Sequence, residues 1–213
     1  MAEHGRGGIA SCCCSFIFTS GLTALFMWLS LRTSKPTCTI QRFYVPALNK
    51  SQNSTSNHTI TFDLKLDNGM KDKGVHYDNI NLNFSYQNGS ALLIANYTVT
   101  GFYQGHGKKA TRKNLAVDGG AVPWEAAVNA VLNGSTVDFR VDLATRVRYK
   151  IMFWNTKRER VVVHGDVEVD SSGEKAKKKK KGVKLKSKSS ELRGHWVSLW
   201  IVAVFTFLVI LLQ

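Results

Sequence analysis

Acidic residues are scarce: 15 Asp and Glu stand against 29 Lys and Arg in 213 residues, a formal net charge of +14. Cysteine is rarer still, with four residues, three of them adjacent (Cys12, Cys13, Cys14) and Cys38 apart. A disulfide framework is therefore excluded, and Cys38 either links two chains, giving a homo-oligomer, or stays reduced. The six His have no metal-ligand spacing, and Asp63, Asp67, Asp72 and Asp78 lack the intervals of a calcium loop. No Gly-x-Ser-x-Gly elbow occurs, and "GFYQGHGKK" at 101–109 lacks the glycine separation and the hydroxyl residue after lysine that a phosphate loop needs. These absences leave no metal, no cofactor and no catalytic centre to name, so an enzyme is not expected.

Charge is also missing from two stretches. Between Gly7 and Leu31 nothing ionises except thiols, and the apolar part, 9–31, matches the roughly 20 residues that cross a bilayer as a helix. It is too long for a leader's apolar region and Ser30-Leu31-Arg32 is a poor cleavage site, so it reads as an uncleaved transmembrane signal anchor behind a stub, 1–8. Cys12, Cys13 and Cys14 at its mouth are candidates for palmitoylation. The second stretch lies in the tail, 195–213, behind small and polar residues, which is the pattern of a glycosylphosphatidylinositol signal with Ser187 or Ser189 as attachment site. An ordinary C-terminal anchor is the alternative.

What is abundant is lysine. From Ser171 to Arg193 nine Lys and one Arg face two Glu, a net +8, and Lys177, Lys178, Lys179, Lys180 and Lys181 are consecutive. Such a run is a solvated linker, assigned here to 171–194, or a grip on a polyanion, and which polyanion depends on the side of the membrane it faces. Seven Asn-x-Ser/Thr sequons decide that: Asn49, Asn53, Asn57, Asn83, Asn88, Asn96 and Asn133, where 13 Asn and 32 Ser plus Thr predict about two by chance. All lie between the apolar stretches, so the lysines share their side, expected to be extracellular. The few charges flanking the first stretch favour the opposite orientation, a weaker bias than seven sequons. Nucleic acid drops out as a partner.

Between the stretches, apolar residues alternate with period two. Ile60, Phe62, Leu64 and Leu66 form one such set; Ile80, Leu82, Phe84 and Tyr86 another; Val137 to Leu143 continue through Val147, Tyr149, Ile151 and Phe153; Val161 to Val169 follow a polar turn, "NTKRE". Strands with one dry face imply two packed antiparallel sheets. Pro123 with Trp124, Ala127, Val128, Val131 and Leu132, closed by Gly134, predicts one short helix. The expectation is an all-β, immunoglobulin/fibronectin-like sandwich of about seven strands over 39–170.

Several stretches carry a closer likeness. "CCCSFIFTSGLTALFMWLSLR", "KPTCTIQRFYVPAL", "KDKGVHYDNINLNFSY", "ANYTVTGFYQGHGKKA" and "FRVDLATRVRYKIMFWNTKR" resemble the plant non-race-specific disease resistance family, in the hairpin-induced-like branch of the late embryogenesis abundant group 2 proteins. Where that family has Asn-Pro-Asn after the first core strand, this chain has Asp67-Asn68-Gly69. The resemblance implies a plasma-membrane glycoprotein of plant immunity with a lipid-linked C-terminus. It implies a requirement in resistance mediated by coiled-coil-type intracellular immune receptors, a cytoplasmic immune-regulator partner met by the stub, and adhesion of plasma membrane to cell wall. The +8 segment would then bind acidic wall polysaccharide by salt-sensitive attraction. A dehydration-related protective or lipid-binding membrane module is the alternative reading.

Overall fold

The computed structural model describes residues 15–26, 34–51, 57–88, 90–176 and 182–187. It divides into two units, Met1–Ser34 and Lys35–Gln213. The described part of the first is a helix, α1 (15–26), whose Phe16, Ile17, Phe18, Leu22, Leu25 and Phe26 are all exposed. Thr19 and Thr23 donate their hydroxyls to the carbonyls of Ser15 and Thr19 at 2.9 and 2.6 Å, so the polar groups on this apolar helix are satisfied internally. Among the described residues no helix is long and apolar enough to cross a membrane; the rest of the expected span, 9–14 and 27–31, lies outside them.

The second unit is built from β1 (Thr37–Asn49), β2 (Thr59–Asp67), β3 (Lys73–Tyr77), β4 (Ile80–Asn88), β5 (Ser90–Val99), β6 (Phe102–Gln104), β7 (Lys109–Asp118), the helix α2 (Trp124–Leu132), β8 (Val137–Ile151), β9 (Trp154–Asn155), β10 (Glu159–Val169), β11 (Ser172–Glu174) and β12 (Val183–Lys184). One sheet has the order β11-β1-β2-β7, with β12 also on β1; the other has β5-β4-β8-β3-β6, with β10 and β9 also on β8. Every pairing is antiparallel.

β3 and β4 follow one another along the same side of β8, broken only at Asp78-Asn79, and β5 and β6 run alongside them, broken at Thr100-Gly101. The kink is held by Gly101 N–H donating to Asn79 Oδ1 at 3.1 Å and by Thr145 Oγ1 donating to the Asp78 carbonyl at 3.1 Å. Only glycine fits at 101, because a Cβ there would meet the Tyr77 carbonyl oxygen. Counting β3/β4 and β5/β6 as single runs leaves seven long strands and the short β9, β11 and β12.

The predicted apolar sets of β2, β4, β8 and β10 point into one core shared by both sheets. Phe43 of β1 lies 5.5 Å from Phe139 of β8, and Phe62 of β2 lies 4.9 Å from Phe84 of β4, ring centre to ring centre.

Two expectations need correction, and one open alternative is decided. The turn after β8 falls at Met152-Phe153, since Ile151 pairs with Trp154, so Phe153 is not on the inner face. The domain does not end at Asp170: β11 pairs with the end of β1 and β12 with its start, and Val183 and Leu185 are buried in the core. The described parts of the expected linker, 171–176 and 182–187, are thus a strap along the β1 edge. Of the two alternatives for Cys38, the reduced thiol is the one seen: it is buried, and desolvation pushes its pKa up to about 12.

Candidate functional site

β8 is 15 residues long, roughly 46 Å at about 3.3 Å per step, and it separates two poles with different chemistry. The first pole gathers the points where the described chain enters and leaves the sandwich. Thr37 pairs with Asp67, and Lys73 pairs with Ile151 at the end of β8. Leu185 N–H donates to the Cys38 carbonyl at 2.9 Å, which brings Lys186 and Ser187 back beside the start of β1.

Two buried amides hold this pole together. Asn68 Nδ2 donates to the carbonyls of Lys73 and Gly105 at 2.9 and 3.0 Å, and its Oδ1 accepts from Met70 N–H at 3.2 Å. Gln104 Oε1 accepts from the Tyr77 hydroxyl at 2.8 Å, while its Nε2 donates to the carbonyls of Leu66 and Lys108 at 3.1 and 2.7 Å. These bonds tie the end of β2 to β3 and β6, so each sheet is stitched to the other where loops leave backbone groups without ladder partners. Phe102 stacks on Tyr77 at 5.0 Å. "FYQGH" and "DNG" are therefore structural here: Phe102, Gln104, the Gly105 carbonyl and Asn68 all belong to this network. Sequence reasoning saw a turn in Asp67-Asn68-Gly69 and missed Gln104, for which only a polar residue breaking an apolar set was available as signal.

On the outer face nearby, Tyr103 lies over Gly74, which has no room for a Cβ, and sits 4.4 Å from the His76 ring. Burial first, then Arg148 and Lys150, hold the His76 pKa below its ordinary value. A hollow of about 910 Å³ opens at the β3/β4 kink, lined by Asp78, Asn81, Thr145, Arg146 and Arg160 among others. A second, of about 540 Å³, is lined by Arg42, Tyr44, Asn49, Ser51, Ser172 and Glu174. Both linings are mostly polar, unlike an acyl-chain cavity. Among the described residues no group of three or more His, Cys, Asp or Glu is placed to hold a metal ion.

The second pole carries α2 and most of the sequons. Asn49 ends β1, Asn57 precedes β2, Asn88 opens the β4–β5 turn and Asn133 follows α2, whose last carbonyl accepts from Lys50 Nζ at 3.2 Å. Asn57 and Asn133 are exposed; Asn49 is half-buried and its amide donates to the Tyr44 hydroxyl at 3.2 Å. Asn83 and Asn96 are exposed cross-strand partners on the outer face of the β8 sheet. Asn53, Ser189, Cys12, Cys13, Cys14 and Lys177, Lys178, Lys179, Lys180 and Lys181 lie outside the described residues. The lysines are nonetheless bracketed by placed chain: Ala176 N–H donates to the Glu168 carbonyl at 2.8 Å, and Lys186 pairs with His164.

The chain is 52% identical over 195 residues to "Protein NDR1" of Arabidopsis thaliana, an alignment covering 88% of this chain and 86% of that protein. It belongs to the plant non-race-specific disease resistance family. No protein-family profile matches it. Among solved structures, a protein from Archaeoglobus fulgidus is 15% identical, with 53% of this chain and 85% of that one covered at a TM-score of 0.30. A late embryogenesis abundant protein solved in solution is 11% identical, covering 80% of this chain and 95% of its own, at a TM-score of 0.32. Scores this low carry no argument. For this member of the non-race-specific disease resistance family, the two-pole arrangement is the geometry on which a functional reading has to stand.

Proposed function

We propose that the chain is a component of plant disease resistance, acting as a plasma-membrane glycoprotein that scaffolds signalling and joins membrane to wall. The observation that carries this reading is the 52% identity to Protein NDR1 over nearly the whole chain. Supporting it, Asn57, Asn83, Asn96 and Asn133 are exposed and open to glycans, while α1 carries no charged side chain and the hydroxyls of Thr19, Ser20 and Thr23 are bonded within the helix. The order of the seven long strands, first-second-fifth in one sheet and fourth-third-sixth-seventh in the other, supports an immunoglobulin/fibronectin-like sandwich as the extracellular domain.

In this reading the stub, 1–8, meets a cytoplasmic immune-regulator protein, Cys12, Cys13 and Cys14 carry palmitate, and the tail is exchanged for a lipid at Ser187 or Ser189. Lys177 to Lys181, held between two ends of the strap, grip acidic wall polysaccharide. Expressed in plants lacking their own family member, the chain restores the resistance response to effector-carrying bacteria, and glycosidase increases its gel mobility. Unrestored resistance with normal accumulation at the membrane counts against the reading. Replacing Lys177–Lys181 with Gln weakens retention on polygalacturonate at low salt, and undiminished retention removes the wall contact.

A further inference from the structure

The pole where the chain enters and leaves carries the most exposed apolar side chains of the sandwich. Met152, Phe153 and Trp154 are 78%, 94% and 61% exposed, at the tip where β8 turns into β9. A two-residue hairpin turn ordinarily takes Asn-Gly or another pair at ease with positive φ. Here the two loop positions are Met152, at φ +49°, and Phe153. A large unbranched side chain in the left-handed region and an aromatic with no neighbour to pack on are costly choices that folding does not require.

The surroundings are cationic. Lys73, Lys109 and Arg158 are matched by Asp72, Asp67 and Asp78. Lys71, Lys108, Lys150 and Lys157 are exposed with no carboxylate in ion-pair range among the described residues. An apolar tip ringed by lysines fits a surface that is anionic outside and apolar within.

We propose that the Met152–Trp154 tip is a wedge that enters the headgroup–acyl boundary of the bilayer, with the surrounding lysines on anionic headgroups. The position of the tip selects this occupant. Lys35 to Thr37 continue back into the uncharged run before Leu31 from the pole that carries the tip, and Lys186, paired with His164 at mid-length of β10, runs antiparallel to β10, so Ser187 heads toward that same pole and the uncharged tail. The sequons at Asn49, Asn57, Asn88 and Asn133 stand at the other pole, where attached glycans do not block such an approach. The wedge would hold the sandwich upright on the membrane, with the sequons of the far pole outward. It rests on the reading of the chain as membrane-tethered.

The test uses the full chain with Cys12, Cys13 and Cys14 replaced by Ser, leaving buried Cys38 in place. One nitroxide is attached at Phe153→Cys or, on the far pole, at Leu132→Cys, both sites being exposed. In vesicles of phosphatidylcholine and phosphatidylserine, the 153 label is expected several-fold more accessible to oxygen than to a nickel complex, at a depth of roughly 5–10 Å, with the 132 label showing the reverse. A chain that floats with the vesicles but leaves both labels equally open to nickel overturns the wedge and spares the tether. Dipolar broadening at 153 means that a second copy occupies the tip, which also overturns it. Failure to float overturns tether and wedge together.

Discussion

Two buried tyrosines show how much a single hydroxyl depends on its partner. Tyr77 donates to Gln104 at 2.8 Å inside the network that joins the sheets, whereas the buried Tyr149 hydroxyl has no hydrogen-bond partner among the described residues. Removing the first hydroxyl strands a buried acceptor, and removing the second relieves a buried polar group of its desolvation penalty. Tyr77→Phe should therefore lower unfolding free energy by about 1–3 kcal/mol, and Tyr149→Phe should change it by less than about 0.5 kcal/mol or raise it, as measured by urea denaturation. Equal losses from both substitutions would mean that Tyr149 has a partner. Parity in the sequence puts the Tyr149 ring on an inner face and leaves Tyr77 unplaced, and nothing local distinguishes a bonded hydroxyl from an unbonded one. That difference is made by Gln104, 27 residues from Tyr77.

At the scale of elements, legibility followed regularity. β2, β4 and β10 keep strict alternation, and α2 keeps helical spacing up to Gly134 at φ +81°. The strands that were not placed break the pattern: β1 shifts register between Ile40 and Arg42, β5 pairs across a shift at Phe84/Ser85, and β7 has a bulge beside Asn114 at φ +52°. A one-residue slip turns the following side chains to the opposite face, so period-two reading fails there.

The strap segments 171–176 and 182–187 fall within the expected linker 171–194 because its lysines outweigh Val183 and Leu185, the two residues that dock. Gly165 lets Leu185 in, since a Cβ at 165 would crowd the Leu185 side chain. Leu185→Ala should destabilise the sandwich by about 2–3 kcal/mol, and limited trypsin digestion should then cut within Lys177–Lys181 faster than in the unaltered chain. A strap that contributes nothing would leave both measurements unchanged. Ending the chain at Asp170, the boundary that composition suggests, would bare the β1 edge to pairing with other chains.

On the scale of the whole molecule, Cys38 reports on global opening. It is buried at the start of β1, and desolvation pushes its thiol from 9.0 to about 12. Its folded pKa is raised, so its contribution to stability is complete below about 9 and is lost as pH climbs toward about 12. With Cys12, Cys13 and Cys14 replaced by Ser, iodoacetamide at neutral pH should modify Cys38 only at the rate of global unfolding, followed by mass spectrometry. Rapid labelling without denaturant would show that the start of β1 opens independently of the core.

The sequence alone determined the all-β class, the inner faces of the regular strands, the short helix, the seven sequons and the family. Each depends on spacing or identity within a few residues, and local sterics and hydrogen bonding impose those patterns wherever the segment ends up. Only the tertiary structure decided that Phe153 is outside, that Ser172–Glu174 and Val183–Lys184 are clasped to β1, that Asn68 and Gln104 are stitches rather than surface amides, and that the start of β1 and the apolar tip share one pole while most of the described sequons take the other. Those outcomes come from pairing between strands distant in sequence, such as β1 with β12 and β3 with β8. Burial and polarity at such positions are properties of the partner brought alongside, which no short stretch of chain specifies.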